Sequence, residues 1–530
     1  MITPNKGLTK HLIEVILSLN KAEKKRFALF LNGNKEKDHL QFVLLYRYID
    51  KEKSFDEKVF LTTHKDIKKS QLSNLKRRLF SKLLQVLEKK EGEKDIDLQI
   101  REQIDASQTL FNKGLYEQSL WMLNKAKQKA LTHQRHLLLL EIVNLEKNIE
   151  LHFVTGRPSN IAIKLTKKSN EQLKVVEVLN QLSGVALTFY GIYQEKGYVK
   201  NRNEFFELEK NFKNQIQHFV YYKLNIAQKI YFHQAHFWYY YNIQNFLMCF
   251  KYAKSWVQLL EESNLENSFQ VQYFKGLNSL LNSLYRLNDI KRFKNEREKL
   301  QKLSLKSSGI LNTNLMVMLK KYEITHSLNL HFMEGTFREG FEKIPQILQS
   351  IENLKPFLEP RFINSVYYKI ASVYFGAEHY KKALVYLNKI LFEQHTTLRQ
   401  DINAFSRILA TVCHFELKNE KQLAYSIRST YHFIGSIKDL NKFQCEIFRF
   451  LKKTFRMDRY ETRKAFEKLY KNMIKISNEP FEQRPFYYFD IISWLESKFE
   501  KRPIADLIKE RGLGHRKLFR RSYFFSSSIL

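Results

Sequence analysis

Two histidines three residues apart, His233 and His236, stand on a segment with helical periodicity, close enough to share a metal ion. No carboxylate lies at an offset that would complete the ligand set, and Phe232, Phe237, Trp238, Tyr239, Tyr240 and Tyr241 surround the pair. Aromatic residues at this density line a core or a binding groove. Tyr and Trp supply large contact area at small entropic cost, so Trp238, Tyr239 and Tyr241 are candidate partner-binding residues. No metal is expected here.

The second kind of chemistry is charge. Lys76, Arg77 and Arg78 adjoin one another on a helix that follows a break, as a helix-turn-helix would present a recognition helix to DNA. The break is long and no Asn or Gln cluster accompanies them to read bases, so a solvated basic face is the better account. Arg516, Lys517, Arg520 and Arg521 interleave with Phe519, Tyr523 and Phe524, mixing phosphate-pairing and base-stacking groups, although a basic tail has the same composition. These seven cations are the candidate polyanion-binding residues. Lys plus Arg number 89 against 55 Asp plus Glu, a formal net charge of +34, which attracts polyanions at long range. The excess is spread: residues 1–95 hold 22 basic and 13 acidic groups (+9), and residues 438–530 hold 22 and 12 (+10).

Catalytic patterns are missing. The chain has no Gly-x4-Gly-Lys-Ser/Thr loop for phosphate, no Gly-x-Gly-x-x-Gly after a strand, no Gly-x-Ser-x-Gly elbow and no His-Glu-x-x-His helix. The sequence therefore predicts a non-enzyme with no cofactor. Cys249, Cys413 and Cys445 are too scattered for a disulfide framework or a paired metal spacing, which fits a reducing cytoplasm. No export signal is expected at the N-terminus, where Glu14 interrupts a short apolar run. No uncharged apolar stretch approaches the roughly 20 residues of a membrane span.

The elements that must position these residues are helices. Only 16 Gly and 8 Pro occur in 530 residues, well below ordinary usage of roughly 7% and 5%, which leaves few residues for the turns of a β-rich fold. Phe 42 and Tyr 28 supply ample core. From about residue 100 apolar residues recur at helical spacing and the breaks recur at a near-fixed interval. In the best block a first helix carries Tyr367, Ile370, Ala371 and Tyr374 on one stripe. A turn follows at 376–379, and a second helix opens at Tyr380 with Ala383, Leu387 and Ile390 inward. Small Ala383 sits where the two backbones would come closest. Further copies read Leu110, Gly114, Tyr116, Ser119, Leu123, Ala126 and Gly335, Phe337, Gly340, Ile344.

This order of bulky, small, Tyr, turn, Tyr and Ala resembles a tetratricopeptide repeat. The residues that open second helices, Tyr116, Ser159, Tyr198, Asn245, Ile290, Phe337, Tyr380 and Lys421, are 39 to 47 residues apart, longer than the 34 of a standard repeat. The resemblance implies an all-α, right-handed superhelical solenoid of stacked antiparallel hairpins with a concave groove that takes a protein or peptide.

Residues 1–95 depart from the repeat. They predict helices near 8–18, 21–31, 38–50 and 70–84, the last capped by Ser70 and carrying Leu72, Leu75, Leu79, Leu83 and Val86 on one stripe. This block is similar to the N-terminal part of uncharacterised helical-repeat proteins of Bacteroidetes, which implies no activity. Residues 91–99 read as a polar linker, 100–477 as repeats, and 478–530 as a C-terminal segment with a helix near 486–499 and a frayed basic tail. The expected function is a non-catalytic cytoplasmic scaffold that binds a protein or peptide in its groove. Nucleic-acid binding through the basic ends is the alternative.

Overall fold

A computed structural model describes residues 4–32, 37–92, 95–152, 160–306, 311–392, 400–437, 441–454, 457, 459–479 and 481–512. The described residues are helical throughout, without strands, and fall into two compact units, Met1–Leu173 and Lys174–Leu530.

The first unit begins with α1 (Pro4–Ser18), α2 (Lys21–Asn32), α3 (Lys37–Glu52), α4 (Glu57–Thr63) and α5 (Lys69–Gly92). Leu12, Ile16, Phe27, Leu45, Ile49, Phe60 and Leu79 close one core among them. The short α4 escapes the sequence periodicity; the Asp56 side chain accepts from the Lys58 and Val59 amides and starts it. Helix α5 starts one residue before Ser70, so Ser70 lies in the first turn and is not the cap. The predicted linker is shorter than expected, because Asp95 caps α6 (Ile96–Asn112) through the amides of Asp97 and Leu98. Helix α7 (Tyr116–Thr132) folds back on α6. At their crossing Ser107 Oγ donates to the Ser119 carbonyl at 3.0 Å, and Ser119 Oγ to the Ser107 carbonyl at 2.9 Å. Helix α8 (His136–Glu150) completes this core with Ile142 and Ile149.

Helix α9 (Asn160–Lys196) runs 37 residues, about 55 Å. The repeat register divides this stretch between two hairpins, but no Gly or Pro breaks the helix between 160 and 183, and it continues. Tyr198 accordingly lies in a turn, and Asn201 caps α10 (Arg202–Ile216) through the Glu204 amide. By length and composition α9 is the one helix among the described residues apolar enough to cross a membrane, with mean hydropathy 1.3 over its best window. Asn180, Gln181 and Ser183 interrupt that window without adding charge.

The second unit continues as hairpins: α11 (Ile226–Asn242) with α12 (Phe246–Glu262), and α13 (Gln270–Leu287) with α14 (Ile290–Lys306). Next come α15 (Thr313–Glu334) with α16 (Phe337–Glu342) and α17 (Ile344–Leu354), then α18 (Pro360–Gly376) with α19 (Tyr380–Phe392). The last are α20 (Gln400–Glu416) with α21 (Glu420–Ser436) and α22 (Lys442–Thr454) with α23 (Arg459–Ser477). Within each hairpin the two helices pack on each other, and first helices also pack on one another, α13 on α15, α15 on α18 and α18 on α20. The chain is thus an all-α protein of stacked antiparallel hairpins. The third residue of the second helix past its opening aromatic is small where the helices cross: Ser119 and Ala383 are fully buried, and a Cβ on Gly340 would meet the His331 ring at 3.1 Å. Cys249 holds the same place against the Phe237 carbonyl at 3.8 Å.

In six described turns the residue two positions before the second helix has a left-handed backbone: Gly114, Gln244, Asn288, Gly335, Glu378 and Lys418. The next amide then reaches back five residues, as from His379 to the Tyr374 carbonyl (2.8 Å) and from Asn419 to that of His414 (3.0 Å), and satisfies the end of the first helix.

A left-handed backbone costs a residue with a Cβ about 1–2 kcal/mol, and glycine returns roughly half of that as unfolded-chain freedom. Glu378→Gly is therefore expected to stabilise the protein by roughly 0.5–1 kcal/mol. Gly335→Ala should destabilise it, since the new Cβ would lie 2.4 Å from the Ala505 carbonyl oxygen. Urea-unfolding midpoints test the pair; shifts of the same sign would refute this account of the turns.

Candidate functional site

Helix α11 brings the two histidines and their aromatic neighbours together. Asn225 caps it in a reciprocal box with Gln228. His233 Nε2 pairs with the Tyr221 hydroxyl at 2.9 Å, and His236 Nδ1 with the Phe232 carbonyl at 2.9 Å while its ring stacks on Tyr252. Burial drives their pKa values down to about 3 and about 4, so both are neutral near pH 7. Among the described residues no three His, Cys, Asp or Glu side chains are placed to hold a metal.

Tyr239 stacks on Phe212 with ring centroids 4.1 Å apart, and Tyr241 lies edge-on to Tyr193 at 4.9 Å; both are interior and offer no surface to a partner in this conformation. Trp238 is half-buried against Tyr190 and keeps some open surface. The basic triad also divides. Lys76 is turned inward, 4.2 Å over the Phe55 ring and donating to Thr9 Oγ1 at 3.0 Å, and burial lowers its pKa. Arg77 and Arg78 are exposed, the first donating to Asn74 Oδ1 and the second lying over Phe42. The three therefore do not form one recognition face. Arg516, Lys517, Arg520 and Arg521 lie outside the described residues.

What the sequence reading missed is the destination of the segment after α23. Helix α23 ends at Ser477, and residues 484–487, with Pro485 in the first turn, form a 3-10 turn. Helix α24 (Ile491–Glu500) then opens under an Asp490 cap, and Lys501, left-handed, closes it before α25 (Ile504–Gly512). This segment crosses the row of first helices. Phe486 meets Phe443 of α22 at 4.9 Å, and Tyr487 fits against Phe246 at 5.2 Å and under the Arg286 guanidinium at 5.0 Å. Tyr488 stacks flat on Phe405 of α20 at 4.4 Å with its hydroxyl on Asp401, and Phe489 lies edge-on to Phe375 of α18 at 5.5 Å. Two carbonyls are caught by side chains: Arg286 donates to that of Tyr487 and the Tyr368 hydroxyl to that of Tyr488, each at 3.0 Å. Farther on, Trp494 Nε1 (2.6 Å) and Lys498 Nζ (2.7 Å) share the carboxylate of Glu416. The visible sequence signal is the run Phe486–Phe489, four aromatics directly after a proline and out of register with the repeat.

Beside this segment α13, α15 and α18 bury a polar chain. His326 Nε2 donates to Asn278 Oδ1 at 2.9 Å, and its Nδ1 accepts from Asn329 Nδ2 at 3.3 Å. Asn329 Oδ1 in turn accepts from Lys369 at 2.6 Å. These bonds fix His326 as the neutral Nε2-protonated tautomer, and burial brings its pKa to about 3. Loss of water, with Arg286 adding repulsion, lowers the Lys369 amine to about 7. Its hydrogen-bond partner is a neutral amide, so no acid-base pair is assembled. An open depression of about 480 Å³ in the first unit is lined by the amides of Gln103, Asn124 and Gln128, by Lys125 and Lys129, and by Thr132 and His133.

No protein-family model matches the chain, and no curated protein does. Among solved structures it is similar to a Rap protein complexed with competence and sporulation factor, at 12% identity over 79% of this chain and 99% of that one, with a TM-score of 0.39.

His233, His236 and His326 take up protons in the unfolded chain near pH 6.5 but not in the folded one until about 3 to 4. The contribution of these histidines to stability should therefore be full above pH 6.5 and be lost as pH drops below it, by about 1.4 kcal/mol per pH unit for each histidine. His326→Gln should flatten the dependence of urea-unfolding free energy between pH 6 and 4.5 by one such increment; an unchanged slope would contradict the buried neutral assignment.

Proposed function

We propose that this chain is a non-catalytic helical-repeat scaffold that binds a protein or peptide partner along the face of first helices in its second unit. One observation carries the reading: that face already holds an irregular peptide segment, residues 484–490. It seats four successive aromatic side chains on different helices and grips two backbone carbonyls with Arg286 and Tyr368. Aromatic anchors in pockets, with polar groups fixing the backbone, are how a groove recognises an extended ligand. The non-catalytic part is supported by the partners of the shifted groups, since Lys369, His233, His236 and His326 pair with amides, a tyrosine hydroxyl and a backbone carbonyl.

Nucleic-acid binding keeps the net charge of +34 in its favour, while the inward Lys76 weakens its N-terminal patch. Affinity capture from a native extract, divided into nuclease-treated and untreated halves and read by mass spectrometry, separates the readings. The scaffold predicts one discrete protein retained in both halves at moderate salt. Loss of all bound material on nuclease treatment would replace it with the polyanion reading, whose affinity must also fall steeply with salt.

A further inference from the structure

The segment that fills the face is covalently part of the chain, and the point where it leaves α23 is strained. Phe481, a bulky residue, has a left-handed backbone with φ of 68°, a conformation that ordinarily marks strain or a special turn. Beside it Glu482 Oε2 is buried with no hydrogen-bond partner among the described residues. Past this hinge the contacts of 486–489 are ligand-like: every subsite presents an aromatic ring, from α22, α12, α20 and α18 in turn, with Tyr198 adding a second ring for Tyr487, and the carbonyls are held by side chains 201 and 120 residues away in sequence. A face so occupied is closed to any other peptide until the occupant leaves, and leaving relieves the hinge.

We propose that residues 482–490 are a built-in competitor for this face, and that the external partner is a segment of the same chemistry, an extended peptide with consecutive aromatic residues. The inference rests on the peptide-binding reading above and adds the identity of the subsites and the mutual exclusion. Partner entry and strap release are then one equilibrium. A partner gains the face only by the difference between its own fit and the strap's, and the strap lowers its apparent affinity by the fraction of time the face is closed.

The test uses the full chain and a labelled synthetic peptide, Glu-Gln-Arg-Pro-Phe-Tyr-Tyr-Phe-Asp, with a scrambled peptide as control. Tyr488→Ala removes the stack on Phe405 and the hydroxyl on Asp401, so this variant should bind the peptide at least tenfold more tightly than the unaltered chain. Should it fail to fold by circular dichroism, Tyr488→Phe, which keeps the ring, replaces it with a threefold gain expected. In the unaltered chain saturating peptide should speed hydrogen exchange of the 486–490 amides. Equal tight binding to unaltered and variant chains, with exchange unchanged, overturns the competition but leaves the peptide-binding face standing. Absence of binding to every folded variant, or equal binding of the scrambled peptide, overturns the proposed subsites; the capture experiment then judges the scaffold reading separately.

Discussion

The close crossing of two helices within each hairpin is the constraint on which the remaining structure depends. A left-handed residue such as Glu378 or Lys418 turns the chain, and two positions later the second helix begins. A small side chain, Ser119, Cys249, Gly340 or Ala383, then lets the backbones meet. That geometry leaves an apolar stripe on every hairpin which the hairpin alone cannot cover. The next hairpin covers most of it, and the first helices thereby align as one face. Where Pro345 follows Ile344 the second helix divides into α16 and α17, yet Gly340 still sits at the crossing against His331, so the small contact governs and helix continuity does not.

The alignment brings polar groups of several hairpins to one face. Asp401, Glu416, Arg286 and Tyr368 all point to the common face, and taking a charge out of water without a partner is costly. The C-terminal segment adds partners to them: the Tyr488 hydroxyl for Asp401, Trp494 and Lys498 for Glu416, and carbonyls for Arg286 and Tyr368. It also fills the space, with Trp494 and Leu495 fully buried. Gly335 is needed on both counts, because its turn is left-handed and the Ala505 carbonyl of α25 packs where a Cβ would be.

Much of this was legible in the sequence, and the limits were physical. Helical periodicity, scarce Gly and Pro and the recurring small position identified the hairpins; Tyr116, Ile290, Phe337 and Tyr380 open second helices as read. In the turns built on Gln244, Glu378 and Lys418 the left-handed position itself holds no turn-favouring residue, so that backbone is imposed by the helices on either side. Helix α9 merges two expected helices because propensity there is uninterrupted, and α4 is too short for periodicity. Lys76 was read as surface from its offset along α5, but a long amine stem can turn inward to an aromatic ring and a hydroxyl. The strap was invisible for a different reason: its hydrogen-bond partners on the hairpins lie 87 to 201 residues distant, and pattern reading sees only neighbours.

The internal pairing also bears on the meaning of the net charge. Several carboxylates are consumed inside the protein, Glu146 by Lys127, Glu416 by Trp494 and Lys498, Glu496 by Tyr470 and Arg511, and Asp401 by Tyr488. Arg77, Arg78 and many lysines meanwhile remain on the surface. The internal pairs remove cations along with carboxylates, Lys127 with Glu146, Lys498 with Glu416 and Arg511 with Glu496, so the basic excess of the composition persists among the exposed groups. A field of that kind raises encounter rates with acidic molecules of every sort but cannot choose among them. Choice has to come from shape and hydrogen-bond geometry, and in the second unit both are concentrated where Phe486–Phe489 sits.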